Sequence, residues 1–304
     1  MTNSACNTRS KLAPIQAPVR KRGGFFFSPL FPLPQREGGL YTPAMNSILV
    51  ATDLSARSAQ ALRRAMRIAT DSGAQLTIAH VIDDDLPGPV ILRRRAEAEE
   101  IIENDLRTWP QLPALRVRIA VAAGQGHDQI VRMAKERGAR LIILGMHRHT
   151  GVADLFRGST IGRVVGYAQA AVMVARTPGE AAYRSALVAM DTSLPAQGAL
   201  AYALGLVREG QVIALHAHEG ALPGGVKQQL QNTIAALPAA SRARLVTREG
   251  PIRDVLRAEL DARLPDVLVL GTRGLRGVER TFRGSVALDM LGASPCDVIA
   301  VPGH

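Results

Sequence analysis

Cysteine and long apolar runs are scarce in this sequence. Only two of its 304 residues are cysteines, Cys6 and Cys296. Two cysteines so far apart exclude a disulfide scaffold and a cysteine-based zinc site, and they favour a reducing cytoplasm. No apolar run reaches the length of about 18 residues that a membrane-spanning helix needs, so none is predicted.

Lysine is also rare. The four lysines are Lys11, Lys21, Lys135 and Lys227, and the pattern Gly-x4-Gly-Lys-Ser/Thr does not occur. Their absence from any glycine-rich loop excludes a P-loop ATPase. The net charge of +11 is spread unevenly: +5 in residues 1–44, +5 in 45–184 and +1 in 185–304. The remainder of the chain is thus only mildly basic, and charge does not indicate a nucleic-acid partner.

Residues 1–44 show neither a helical nor a strand period and contain six prolines. Prolines at this density prevent a continuous helix. We expect this segment to be a disordered extension, or to lie upstream of the true start. Met45 directly precedes the first convincing strand, so it is the candidate first residue.

The rest of the sequence repeats itself. Two apolar runs that end in Asp53 and Asp191 are each followed two residues later by a serine. Gly124 and Gly250 precede Gly145 and Gly271 by 21 residues, and Gly158-Ser159 and Gly284-Ser285 begin 13 residues after those glycines. Spacings that agree to the residue indicate a duplication, with domains at 45–177 and 185–304.

Each half alternates apolar runs with helical periodicity. Strands are predicted at 47–52, 75–81, 116–122, 141–145, 171–175, 186–190, 211–217, 243–247, 267–271 and 297–301. Helices are predicted at 56–70, 90–108, 127–137, 159–168, 196–208, 226–237, 252–263 and 285–292. Strands that are apolar throughout are buried on both faces, and intervening helices enforce parallel pairing. The pattern predicts two doubly wound, Rossmann-like α/β domains with mostly parallel sheets.

Candidate binding residues follow the first and fourth strands. Ligands of doubly wound sheets bind beyond the carboxyl ends of strands, where Asp53 and Asp191 stand. An aspartate there can bind a ligand or merely shape a turn; its recurrence favours binding. The loop 271–285 contains glycines, four arginines and Gly284-Ser285 at a helix start, a setting that favours phosphate.

These residues resemble the universal stress protein family, whose pattern is Gly-x2-Gly-x9-Gly-Ser/Thr. Gly271, Gly274, Gly284 and Ser285 fit it. The resemblance implies a strand order of 3-2-1-4-5 in each half and ATP, possibly with Mg²⁺, as ligand. It also implies that Asp191 holds the adenosine end, that the glycine loop holds the phosphates and that backbone groups of Ala217 contact adenine. The corresponding residues of the first half are Asp53, Val81, Gly145, Gly158 and Ser159.

Arg148 replaces the second glycine of the first-half pattern. We therefore expect one tightly bound nucleotide per chain, in the second half. The last strands of the two halves resemble edges through which single-domain members dimerise, so we expect them to pair as an internal pseudo-dimer; a homodimer is also possible.

Histidine pairs occur at His147/His149 and His216/His218. We expect His216 and His218 to face opposite sides of a strand, and no carboxylate or cysteine cluster accompanies His147 and His149. The sequence thus predicts no metal site. No nucleophile–base pair stands near the loops either, so the leading hypothesis is a cytoplasmic regulatory nucleotide-binding protein. The alternatives are a scaffold that acts through protein contacts and a weak ATP hydrolase.

Overall fold

The computed structural model describes residues 45–110, 112–146, 159–177, 179, 181–272 and 286–303. The extension 1–44 lies outside these residues. In them the strands are β1 (Ser47–Thr52), β2 (Gln75–Ile82), β3 (Arg116–Ala123), β4 (Leu141–Gly145), β5 (Ala171–Ala175), β6 (Ser185–Ala189), β7 (Gln211–His218), β8 (Ala243–Glu249), β9 (Val267–Thr272) and β10 (Asp297–Pro302). The helices are α1 (Ala56–Ser72), α2 (Gly88–Arg107), α3 (Gly126–Glu136), α4 (Thr160–Tyr167), α5 (Leu194–Leu206), α6 (Val226–Ala235), α7 (Ile252–Arg263) and α8 (Val286–Ala293).

All ten strands form one sheet, in the order β3-β2-β1-β4-β5-β10-β9-β6-β7-β8. Within each half the order is 3-2-1-4-5 and neighbouring strands are parallel. The α/β class was predicted correctly, and the order within each half is the one that the family resemblance implied. The two five-stranded sheets are not separate, however, because the halves share a single hydrogen-bonded sheet.

The halves join where β5 pairs with β10. This pairing is antiparallel, with Val298 opposite Val174 and Ala300 opposite Val172. Every other neighbouring pair in the described sheet is parallel, so this ladder marks the boundary between the two repeats. The internal pairing of the last strands is as predicted. A homodimer that used the same edges is excluded in this arrangement, since each edge already has a partner; a homodimer through another surface stays a prediction.

Helices cover both faces of the sheet. Buried residues of α1, α2, α5 and α6 pack in one apolar cluster with one face of the strands, as Leu62, Ile102, Leu200 and Leu230 show. Residues of α3, α4, α7 and α8 pack against the opposite face. The central strands are therefore buried on both sides, which is why their sequences are apolar throughout. Since the halves meet in an antiparallel pair, the carboxyl ends of the first-half strands lie at one edge of the sheet and those of the second-half strands at the opposite edge.

No helix in the described ranges combines the length and apolar character needed to cross a membrane.

Candidate functional site

Asp53 lies immediately after β1 and organises the turn into α1. Its Oδ1 accepts hydrogen bonds from the backbone N–H of Ser55 at 3.0 Å and from the Ser55 hydroxyl at 2.6 Å. The Ser55 Oγ in turn accepts from the N–H of Ser58 at 3.3 Å and caps the helix. The turn holds Leu54 in the left-handed region, with φ of 63°, and the Leu54 N–H donates to Thr52 Oγ1. The carboxylate is thereby fixed at the start of a helix.

Asp191 occupies the same position in the second half. Its Oδ1 accepts from the Ser193 N–H at 2.8 Å and from the Ser193 hydroxyl, and Ser193 Oγ accepts from the N–H of Ala196. The structure thus assigns to both aspartates the turn-forming role that the sequence weighed against ligand binding. The two roles are compatible, because both carboxylates stay exposed to solvent while they form the turn.

A cavity of about 390 Å³ opens beside Asp53. Its walls come from the carboxyl ends of β1, β2 and β4 and from the N-terminal ends of α1, α3 and α4. Asp53, Val81 and Gly145, which the sequence nominated, all line it. Other lining residues include His80, Asp83, Arg57, Arg94, Gly126, Met146 and Thr160. The volume falls within the range of about 300–1,000 Å³ typical of small-molecule pockets.

The helix N-termini at this cavity favour an anion. The first N–H groups of a helix have no intrahelical acceptor, and the helix dipole adds partial positive charge there. Three helices begin at the cavity: α1 contributes Arg57 and Ser58, α3 contributes Gly126, and α4 contributes Thr160 and Ile161. Ser159, also nominated, caps α4 by accepting from the Gly162 N–H at 3.2 Å. Arg57 and Arg94 add full positive charges.

Gly145 and Gly271 have a packing role that the sequence did not reveal. A Cβ on Gly145 would lie 3.2 Å from Ser58 Cα and 3.3 Å from Arg57 O. A Cβ on Gly271 would lie 2.5 Å from the carbonyl carbon of Pro195 and 2.8 Å from Ala196 N. The first turns of α1 and α5 pack directly on the backbone of these strand ends, so a side chain would be tight at Gly145 and would clash at Gly271. Only the spacing shared by both halves hinted at this.

His80 and His216 occupy equivalent positions beside the two aspartates, which the sequence did not reveal. His80 Nδ1 lies 2.9 Å from Thr52 O, and His216 Nδ1 lies 2.8 Å from Met190 O. In each half a ring on the second strand is thus bonded to the carbonyl that precedes the aspartate. The prediction that His216 and His218 face opposite sides was wrong, because residues two apart on a strand share a face; their rings stack with centroids 6.3 Å apart.

The remaining nominated residues divide into two sets. Ala217 lies near the end of β7, half-buried between the two histidines, and Gly271 lies in β9. Arg148 and Gly158 of the first half lie outside the described residues, as do Gly274, Gly284, Ser285 and the four arginines of the second loop. The phosphate-loop predictions for these residues therefore stay predictions.

Comparison with known proteins agrees with this architecture. The sequence model of the universal stress protein family matches residues 45–176 and 182–302. Universal stress protein YxiE from Bacillus subtilis is 27% identical over 147 residues, which cover 43% of this chain and 99% of YxiE. The chain is thus about twice the length of that relative.

Two solved structures are similar over most of the chain. A universal stress protein from Archaeoglobus fulgidus superposes with a TM-score of 0.70 at 19% identity, covering 86% of this chain and 98% of that one. The functionally unknown protein PA1789 from Pseudomonas aeruginosa superposes with a TM-score of 0.58 at 20% identity, covering 86% of this chain and 94% of that one. At these identities the likeness shows the shared fold. Because the family model spans both halves, this chain belongs to the universal stress protein family, with two copies of the family domain in tandem.

Proposed function

We propose that the protein binds an adenine nucleotide at the carboxyl ends of its central strands and acts as a regulatory protein of the stress response. The observation that carries this proposal is the first-half cavity, where three nominated residues meet the N-termini of three helices. A ligand that is anionic at one end and carries hydroxyl and ring donors at the other matches this combination. An adenine nucleotide has this chemistry.

Different lining residues suit different parts of the nucleotide. The carboxylate of Asp53 can accept hydrogen bonds from ribose hydroxyls, and backbone groups at Val81 can pair with the adenine edge. The N-terminal turns of α3 and α4, with Arg57 and Arg94, suit the phosphates. This division follows the pattern that the family resemblance implies, and the cavity supports it by placing all these groups around one space.

The features that favour nucleotide binding differ between the two halves. The second half carries the complete glycine pattern with four arginines, whereas the first half has Arg148 in place of a glycine and has the described cavity. The expectation of a single tight site in the second half rests on its glycine loop alone. The proposal itself requires only that at least one half binds.

The same site gives little support to a dedicated enzyme. The sequence has no P-loop lysine and no obvious nucleophile–base pair beside the glycine loops. We therefore propose binding and signalling in the cytoplasm rather than turnover. Phosphate release from the wild-type protein in the same preparation tests the alternative of weak ATP hydrolysis.

Calorimetric titration of nucleotide-free protein with ATP tests the proposal, and native mass spectrometry of freshly purified protein detects any nucleotide that co-purifies. A ratio near one that is lost with Asp191→Ala assigns the second half, whereas loss with Asp53→Ala assigns the first. A ratio near two assigns both. Absence of binding to ATP, ADP and AMP in the folded wild-type protein would overturn the proposal and favour the scaffold alternative.

A further inference from the structure

A second cavity, of about 350 Å³, lies where the two repeats meet. Its walls come from the C-terminal half of α1, the end of α5, the connecting segment 181–183 and the two residues before β1. No described residue lines both this cavity and the one beside Asp53. The inter-repeat cavity, as we call it, is therefore separate from the candidate nucleotide site.

Much of the wall of the inter-repeat cavity is apolar. Ile68 of α1 and Tyr202 of α5 are buried, and Leu206 is half-buried. Tyr183 of the connecting segment is also buried, and the Arg64 guanidinium carbon lies 4.3 Å from the centre of its ring. The cavity volume is typical of small-molecule pockets. A compact aliphatic or aromatic body therefore suits this space.

Three described arginines line the inter-repeat cavity, and two of them are neutralised by carboxylates. Arg64 pairs with Asp297 and Arg67 pairs with Asp71, in each case at 2.9 Å. The side chain of Arg208, which follows α5, is exposed and makes no hydrogen bond or ion pair with a described residue. Since the other described charges of the wall are compensated, the positive charge of Arg208 remains available at the cavity.

A second polar group at this wall is left without a partner. The hydroxyl of Tyr202 is buried and makes no hydrogen bond in the described part of the chain, whereas the Tyr183 hydroxyl donates to Asp297. Burial raises the pKa of Tyr202, so its hydroxyl stays protonated. Buried hydroxyls normally have a partner, because leaving one unpaired is unfavourable. The guanidinium of Arg208 and this phenol both donate hydrogen bonds, so they favour a ligand group that accepts them.

We propose that the inter-repeat cavity binds a small amphipathic anion, in which a compact apolar body carries one carboxylate. The apolar wall takes the body, and Arg208 pairs with the carboxylate at the exposed side of the cavity. Residues of both repeats and of the segment between them line the cavity, so the bound ligand contacts all three. The proposal is independent of nucleotide binding.

Calorimetric titration of the full chain without nucleotide tests the proposal with three probes. Octanoate has the apolar body and the negative charge, acetate has the charge alone, and octylammonium has the body with the opposite charge. We expect octanoate to bind at least about 10-fold more tightly than acetate, since each buried methylene contributes about fourfold in affinity. Octylammonium should also bind at least about 10-fold more weakly than octanoate, because it cannot pair with Arg208.

Variants then locate the site. Arg208→Gln should weaken octanoate binding at least about 10-fold, whereas the matched Arg257→Gln, an exposed position on α7 at the opposite face of the sheet, should leave it unchanged. Ala182→Trp, at an exposed lining position, fills the cavity and should abolish binding. Circular dichroism verifies that each variant is folded.

Three results would overturn the proposal. One is an octanoate affinity no higher than that of acetate or of octylammonium. Another is octanoate binding that is retained in folded Ala182→Trp, because the ligand would then bind elsewhere. The third is equal octanoate affinity in wild type and Arg208→Gln, since the cavity would then not select for an anion.

Discussion

Arg64 of α1 and Asp297 of β10 form a buried ion pair, with 2.9 Å between Arg64 Nε and Asp297 Oδ2. The side chains are 5% and 0% exposed. The pair therefore connects the first helix of one repeat to the last strand of the other. Asp297 Oδ1 also accepts from the N–H groups of Arg176 and Thr177, and the Tyr183 hydroxyl donates to Oδ2 at 2.5 Å. These bonds hold the segment that connects the repeats, which includes Arg176, Thr177 and Tyr183, against both of them.

Breaking this pair is expected to be costly. In Arg64→Met the carboxylate of Asp297 remains buried without its cation, and removal of one partner from a buried pair typically costs about 3–5 kcal/mol. The matched control is Arg67→Met one turn along the same helix, where Arg67 pairs with Asp71 at 2.9 Å and both side chains are about a third exposed. That change should cost less than about 1 kcal/mol. Urea denaturation measures both, and equal effects would contradict the assigned importance of burial.

The hydroxyl of Tyr183 gives a second measure of the network. Burial and the neighbouring Asp297 carboxylate raise the pKa of Tyr183 well above its ordinary value, so the hydroxyl stays protonated and donates at all working pH values. Tyr183→Phe removes that one hydrogen bond to a charged acceptor and should lower the unfolding free energy by about 1.5–3 kcal/mol. A change below about 0.5 kcal/mol would show that the remaining donors satisfy Asp297.

Glu259 of α7 should make the free energy of unfolding depend on pH in the acidic range. Burial raises the pKa of Glu259, but hydrogen bonds and charge from Arg263 and Arg248 outweigh that effect, so the net pKa is lower than the ordinary 4.5. A lowered folded-state pKa adds stability above the unfolded pKa, and that stability is lost as pH falls through the folded value. Glu259→Gln should therefore cost about 1–3 kcal/mol at pH 7. The difference from wild type should shrink below about pH 4.5 in denaturation series; a difference independent of pH would contradict this account.

Leu264 ends α7 in a strained conformation. It has φ of 47° and ψ of 55° and is 73% exposed, while its N–H donates to Leu260 O. The left-handed region costs a non-glycine residue roughly 1–2 kcal/mol, and glycine adopts it freely but loses more entropy on folding. Leu264→Gly should thus stabilise the protein by about 0.5–1 kcal/mol. Thermal denaturation measures it, with Leu264→Ala as the control that retains the strain and should change little.

Nucleotide affinity should depend on the charge of the strand-end aspartates. At whichever half binds, Asp→Ala should weaken affinity by about 10- to 150-fold, since a hydrogen bond to a charged acceptor contributes about 1.5–3 kcal/mol. Asp53→Asn and Asp191→Asn preserve the Oδ1 acceptor for Ser55 and Ser193, so they separate ligand contact from turn formation. Calorimetry that shows equal affinity for Asn and wild-type proteins but weak binding for Ala would assign the aspartate to the turn alone.

Most of the fold was accessible from local sequence patterns. Apolar strands and amphipathic helices follow from period and composition, so their ends fall within two residues of the structure. The pairing of β5 with β10 was expected from the resemblance of these last strands to the edges through which single-domain family members dimerise. The antiparallel direction of that pairing and the Arg64–Asp297 ion pair depend on how two repeats meet. A short stretch of sequence does not carry that information. The repeat does not reveal the ion pair either, because Tyr202 stands at the position equivalent to Arg64 and Ala171 at the position equivalent to Asp297.

The sequence identified several residues that line the cavity, but it did not predict what each side chain does. Asp53 and Gly145 were expected together because strand ends of one doubly wound sheet share an edge, whereas Val81 was expected there only from the family resemblance. The N-cap role of Ser159 and the carbonyl bonds of His80 and His216 require side-chain geometry. The error at His216 and His218 had a simple physical source, since alternation along a strand separates neighbours rather than residues two apart.

The first glycine of each loop provides a last test, in which packing and ligand binding make different predictions. Gly271→Ala places a Cβ 2.5 Å from backbone atoms of Pro195, and backbone cannot move aside as a flexible side chain can. It should cost about 1–3 kcal/mol of stability in nucleotide-free protein, the typical cost of overpacking. Gly145→Ala meets its nearest backbone atom at 3.2 Å and should cost less. Denaturation without ligand measures both. If neither variant loses stability but both lose ATP affinity, these glycines serve the ligand and not the packing of α1 and α5 on the sheet.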